Sequence, residues 1–217
     1  MTEDWINIHT HRPGPGINIV DPCLGEVESP EAGLVYYSLG VHPLYIGEQV
    51  EQQIESIGLA AAENRIVAVG EAGLDRNSPM SVDKQMEVFR LQAEIAAWYD
   101  LPLIIHGVRA IPEVITVHNR CRKPEKWIMH GFNNRREVLQ ELLKHGFYIS
   151  AGRHVMNESS NIYQLLSEIP SERLFVETDD SDFSITEIYH AVAERRNIAV
   201  EELQQVVRRN FEKLFRI

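Results

Sequence analysis

The chain has 217 residues, 44% hydrophobic and 24% charged; this is globular usage that excludes disorder, and no apolar run approaches the roughly 18 residues that span a bilayer. Two cysteines exclude a disulfide framework, and a start carrying Glu3 and Asp4 but no base does not read as a signal peptide, so the expected compartment is the cytoplasm. The net charge of −11 is concentrated in residues 1–64, which hold ten acids and one base; that argues against an extensive nucleic-acid-binding surface unless metal ions supply positive charge.

Short apolar runs alternate with amphipathic segments along the chain. The strand candidates, in order, are Trp5–Ile8, Ile17–Val20, Leu34–Val41, Ile66–Val69, Leu103–Ile105, Trp127–Met129, Phe147–Ser150 and Leu174–Glu177. Their β-branched and aromatic content suits strands buried on both faces. Helical periodicity marks residues 82–99 behind Ser81 as N-cap, 134–145 ending at Gly146, and 200–214. This alternation predicts an α/β fold of the TIM type, a (β/α) barrel forming one domain over residues 1–217.

The front end departs from the pattern. Only Arg12–Gly16 is read as separating the first two strand candidates, whereas a parallel crossover usually takes a dozen residues or more. The run Ile17–Val20 is therefore expected to turn back antiparallel or to leave the sheet. Residues 21–33, acidic and holding two prolines and two glycines, read as loop. With the first two helices missing, the expectation is a shortened, distorted barrel with as few as seven parallel strands.

Polar residues of one chemical kind end these runs. His9 and His11 share one face of the first strand, because side chains two apart project to the same side. Glu71 follows Ile66–Val69, His106 follows Leu103–Ile105, His130 follows Trp127–Met129, and Asp179 follows Leu174–Glu177. Each alone is weak. In a parallel barrel all of them gather at the C-terminal face, where barrel active sites lie. Four imidazoles and two carboxylates suit two divalent cations sharing a carboxylate.

The motifs Ile8-His9-Thr10-His11, Gly40-Val41-His42-Pro43, Gly70-Glu71-Ala72-Gly73-Leu74-Asp75, Leu103-Ile104-Ile105-His106, Met129-His130-Gly131-Phe132 and Phe175-Val176-Glu177-Thr178-Asp179 occur in order over nearly the whole chain. In this the sequence resembles the TatD-type metal-dependent hydrolases, within the wider amidohydrolase-like barrels. The resemblance implies two divalent ions, with Zn, Mn, Mg or Ni all admissible. It implies His9, His11, Glu71 and Asp179 on one ion, and Glu71, His106 and His130 on the other. Asp179 would accept the proton of the attacking water, with Glu71 bridging beneath it. His42 and Arg109 would contact substrate. The implied reaction is hydrolysis of a phosphodiester or related ester, deoxyribonuclease-like at the family level, on a small molecule or short nucleic acid.

Several positions depart from the family pattern. Leu44 stands where a second histidine is usual, Arg109 is displaced by one place, and Asp180-Ser181-Asp182 replaces the usual start of the next segment. The ligand set is intact while the substrate contacts are altered. Two other readings therefore stay open: hydrolysis of a carboxylic ester, amide or lactone, and a metal-bearing barrel without catalysis. His154 is read as a loop histidine, and His118, His145 and His190 as surface or packing residues. Cys23 and Cys121 are read as plain thiols. Arg120, Arg122, Lys123 and Lys126 form a basic cluster expected at the opposite end of the barrel.

Overall fold

The computed structural model describes residues 5–23, 34–122, 124–215 and 217. Its centre is one eight-stranded sheet: β1 (Ile6–Thr10), β2 (Ile17–Val20), β3 (Val35–Leu39), β4 (Ala68–Asp75), β5 (Leu103–Val108), β6 (Trp127–Met129), β7 (Tyr148–Ala151) and β8 (Leu174–Val176). The strands lie in sequence order and every neighbouring pair is parallel. A parallel bridge between Thr10 and Asp179 brings β1 back to the end of β8 and nearly closes the barrel.

Among the described residues there are seven α-helices: α1 (Val50–Ala62), α2 (Val82–Tyr99), α3 (Ile111–His118), α4 (Arg136–Lys144), α5 (Asn161–Leu165), α6 (Ile185–Arg196) and α7 (Val200–Leu214). Ser81 caps α2 by accepting from Lys84 N at 3.3 Å, as its sequence predicts. Asn210 on α7 donates to the carbonyls of Ser171 and Leu174 at 2.8 and 2.9 Å, fastening that helix to the start of β8. Strand residues such as Ile6, Ile8, Ile19, Val69, Ile105 and Phe175 are buried and form a continuous apolar core. Among the described residues, no helix is long and apolar enough to cross a membrane.

The front end corrects the sequence expectation. Ile17–Val20 is neither antiparallel nor outside the sheet: it is a parallel neighbour of β1, with Ile6 opposite Ile17, and the barrel has eight strands rather than seven. The physical reason is reach. Returning along a five-residue strand takes about 16 Å, which the residues of the 11–16 link can span when extended, at about 3.3 Å each. No helix lies in that link.

The link closes on Gly16, whose φ is +85° and where a Cβ would sit 2.2 Å from the Trp5 carbonyl oxygen. Only glycine permits that approach. Asn18 then holds the loop from inside, donating to the Gly14 and Gly16 carbonyls at 2.9 and 2.8 Å and accepting from Gly14 N at 3.1 Å. Residues 24–33, which include most of the acidic segment read as loop, lie outside the described residues, as does Lys123.

Side chains complete the seam where only a bridge joins β1 to β8. Asn7 donates to Thr178 Oγ1 at 2.8 Å and accepts from Thr178 N at 3.1 Å, and Thr178 Oγ1 donates to Thr10 Oγ1 at 2.9 Å. All three residues are buried. Replacing Asn7 by alanine strands the buried Thr178 N–H and removes the donor to its hydroxyl, so Asn7→Ala is expected to cost about 1–3 kcal/mol of stability. Urea unfolding against the native chain measures this.

Candidate metal centre

The strand ends converge on Glu71. It lies within β4, and its two carboxylate oxygens face different sets of histidines. Oε2 is 3.4 Å from His9 Nε2, which is in turn 3.5 Å from Asp179 Oδ1. His11 Nε2 is 3.5 Å from the same Asp179 oxygen. Oε1 accepts from His106 Nδ1 at 2.7 Å and from His130 Nε2 at 2.8 Å, with His42 Nε2 at 3.2 Å. The structure thus brings together His9, His11, His42, Glu71, His106, His130 and Asp179. All but the fully buried His9 line a cleft of about 390 Å³ at the C-terminal end of the barrel.

The donor chemistry fits divalent cations. Ligand atoms of His9, His11, Glu71 and Asp179 all lie within 4.8 Å of one another, and those of His42, Glu71 and His106 do the same. Donors about 2.1 Å from one ion stand about 3.0–3.4 Å apart in octahedral or tetrahedral arrangement. The His9–Glu71, His9–Asp179 and His11–Asp179 separations are close to that spacing. His9 is fully buried, and neither of its ring nitrogens has a hydrogen-bond partner. A buried imidazole facing two carboxylates without a hydrogen bond is explained by a cation between them.

Outer partners orient three of the rings. His11 Nδ1 lies 3.1 Å from the Asp21 carbonyl oxygen, His106 Nε2 lies 3.0 Å from Asp75 Oδ2, and His130 Nδ1 lies 3.4 Å from Glu177 Oε1. With a metal bound, the outer nitrogen would carry the proton and the inner one would offer its lone pair. His42 is reversed: its Nδ1 accepts from Leu44 N at 3.1 Å, so its neutral ring presents an N–H at Nε2.

Charge is strongly redistributed in this cluster. Burial opposes ionisation of Glu71, but His130, His106 and His42 outweigh it and hold the carboxyl well below its usual range. Asp179 is likewise held down, with His11 and His9 overcoming burial. Burial also opposes the charge on His9 and His130. Asp179 and Glu71 nevertheless raise His9 to about 10, and Glu71 and Glu177 raise His130 well above the usual value. Protons thus occupy the positions that cations would take.

Asp21, Asp75 and Glu177 carry no role in the sequence reading. Asp21 ends β2 just as the histidines end their strands, but β2 was expected outside the parallel sheet, so its terminal acid was not counted. Asp21 is buried, and its Oδ2 accepts from Glu71 N while Oδ1 accepts from Cys23 N, both at 2.8 Å. Asp75 had a readable signal, since it lies four residues beyond Glu71 on the same strand and shares its face.

Other positions fall outside the cleft or at its edge. Arg109 is exposed at the end of β5 with φ +54°, and its carbonyl accepts from Arg76 Nε at 2.8 Å. It borders a separate surface groove with Ile111, Arg135 and Val138, which shares only Asn134 with the cleft. His154 lines the cleft itself, and burial followed by Arg153 lowers its pKa. His118 packs between the rings of Trp127 and Phe147. Asp180 is ion-paired with Arg153, and Asp182 with Arg12 at 3.3 Å. Lys126 donates to Asp100 at the N-terminal end of β6, the far end of the barrel.

Residues 24–216 match the family model of TatD related DNases. The chain belongs to the TatD family of metal-dependent hydrolases. It is 30% identical over 203 residues to an uncharacterized metal-dependent hydrolase, YabD of Bacillus subtilis, covering 86% of this chain and 80% of that protein. It is 33% identical over 150 residues to the 3'-5' ssDNA/RNA exonuclease TatD of Escherichia coli, covering 64% and 55%. The crystal structure of the TatD homologue YjjV from Escherichia coli superposes with a TM-score of 0.84 over 100% of both chains at 21% identity, a likeness of fold.

Two measurements follow from this TatD-type arrangement. A metal ion must displace protons from His9 and His130, so Mn²⁺ affinity is expected to rise from about pH 6 to about pH 9 with proton release. Titration calorimetry in buffers of different ionisation enthalpy reads both quantities. Asp21→Asn leaves one of two backbone N–H groups without its carboxylate acceptor. It is expected to weaken Mn²⁺ binding by about 10- to 100-fold, the usual scale for partners of metal ligands, with little change in melting temperature.

Proposed function

We propose that the cleft holds two divalent cations and hydrolyses a phosphodiester or related ester. The observation that carries this reading is the two-sided environment of Glu71. One oxygen faces His9 beside Asp179 and His11, and the other faces His106 and His130. That is the pattern of a carboxylate shared between two ions. When bound, such ions acidify water and draw charge from the scissile group.

The chain's own residues supply the rest. Asp179 borders the cleft and is held ionised, so its carboxylate orients the attacking water and accepts its proton. Glu71 keeps both halves of the ligand set in register. His42, with its N–H directed inward, donates to an oxygen of the substrate rather than ligating metal. Arg109 stands beyond the cleft, so it meets only a substrate long enough to extend past Asn134. A cleft of this volume suits a small molecule or the end of a short oligonucleotide. The exonuclease relative supports the nucleic-acid form of this reading.

One observation favours the second reading, a carboxylic ester, amide or lactone. Arg153 is the one arginine among the described cleft-lining residues, and Asp180 already engages it. A less anionic substrate would not need it. Assays of a bis-aryl phosphodiester, an aryl carboxylic ester and a single-stranded oligodeoxynucleotide, each with Mg²⁺, Mn²⁺ and Zn²⁺, separate the two. The phosphodiester and the oligonucleotide are expected to be cleaved. Asp179→Asn is expected to lower kcat by about 10²- to 10⁴-fold, and Glu71→Gln to lose both metal and activity. Activity that survives both substitutions rejects the mechanism.

A further inference from the structure

Beside the metal centre, the ends of β1 and β2 assemble a second set of ligands that the proposed reaction does not use. Cys23 Sγ is 3.1 Å from His11 Nδ1. One ligand atom from each of His11, Asp21 and Cys23 lies within 4.8 Å of the others. The arrangement is built by the backbone. Asp21 N donates to the Thr10 carbonyl at 2.9 Å, and Asp21 Oδ1 accepts from Cys23 N at 2.8 Å. Cys23 takes a positive φ of 50°, rare for a residue with a Cβ. Cys23 is exposed and lines the cleft, so a cation reaches it from solvent.

We propose that His11, Asp21 and Cys23 form an outer site for thiophilic divalent cations of the zinc or cadmium class, and that filling it disables the metal centre. Thiolate, imidazole and carboxylate are donors such ions accept in tetrahedral sites, whereas Mg²⁺ and Mn²⁺ prefer oxygen. On binding, the S–H bond breaks, a sulfur–cation bond forms, and the proton passes to solvent. The shared ring makes the two sites antagonistic. A neutral imidazole offers one lone pair. With the centre filled, that lone pair would be the one on Nε2, which faces Asp179, while Nδ1 lies toward the Asp21 carbonyl. An outer cation takes Nδ1, moves the proton to Nε2, and removes His11 from the inner set.

The test needs no substrate, so its outcome is independent of which ester is cleaved. Full-length protein stripped with a chelator is titrated with Cd²⁺ while the ultraviolet thiolate-to-cadmium absorption is followed. Mn²⁺ affinity is then measured by calorimetry with and without one equivalent of Cd²⁺. The absorption is expected in the native chain and in Cys121→Ser, and is expected to vanish in Cys23→Ser and in Cys23→Ala. Cadmium is expected to weaken Mn²⁺ binding about 10-fold, the scale of a disturbed metal ligand, in the native chain but not in either Cys23 variant. The proposal is overturned if the absorption persists in the Cys23 variants. It is equally overturned if cadmium weakens Mn²⁺ binding to the same extent with and without Cys23, which would place cadmium on the central ligands.

Discussion

A buried carboxylate is expensive unless opposite charge surrounds it, and Glu71 is the point at which this barrel meets that cost. Its two oxygens look in opposite directions, toward His9 on one side and toward His106 and His130 on the other. Every strand that supplies a ligand must end at the right height around this one side chain. The parallel barrel achieves this because its strands run the same way and present their C-terminal ends on a single face. Without cations, His9 and His130 hold protons against the carboxylates, and a metal would displace them.

The outer partners show how the arrangement is kept rigid. Asp75 and Glu177 lie behind His106 and His130, and the Asp21 carbonyl lies behind His11. Each takes the outer ring nitrogen and leaves the inner one for a metal. Asp21 does more than the others, because its carboxylate also receives the Glu71 backbone N–H. It is placed there by the short link before β2, where Gly16 passes against Trp5 and Asn18 gathers the loop carbonyls. A helix-free crossover at the front of the barrel thus shapes the ligand set.

The rim carries the positions at which the sequence departs from the motif pattern. The acids at 180 and 182 are each matched with an arginine, so their charge does not stand unopposed beside the cleft. Arg109 has been carried out onto a neighbouring groove by its left-handed turn. His154 takes a place in the lining instead.

Much of the centre was legible in the sequence. His9, His11, Glu71, His106, His130 and Asp179 each follow an apolar run, and runs of one hydrophobic type in alternation with helices imply a common face. His42 was legible only through its motif, and Asp21 not at all, because the short link hid the parallel pairing of β2. Crossover length is a statistical guide, whereas the actual limit is chain reach, and an extended link whose tight turn falls on glycine meets it. The sequence by itself determined the residue types, their strand-end positions and the fold class, because these follow from local periodicity and chemistry. Only the tertiary structure decided the eighth strand, the partners behind each imidazole, the displacement of Arg109 and the meeting of Cys23 with His11. Those depend on which backbones lie side by side, a relation between segments that no local pattern encodes.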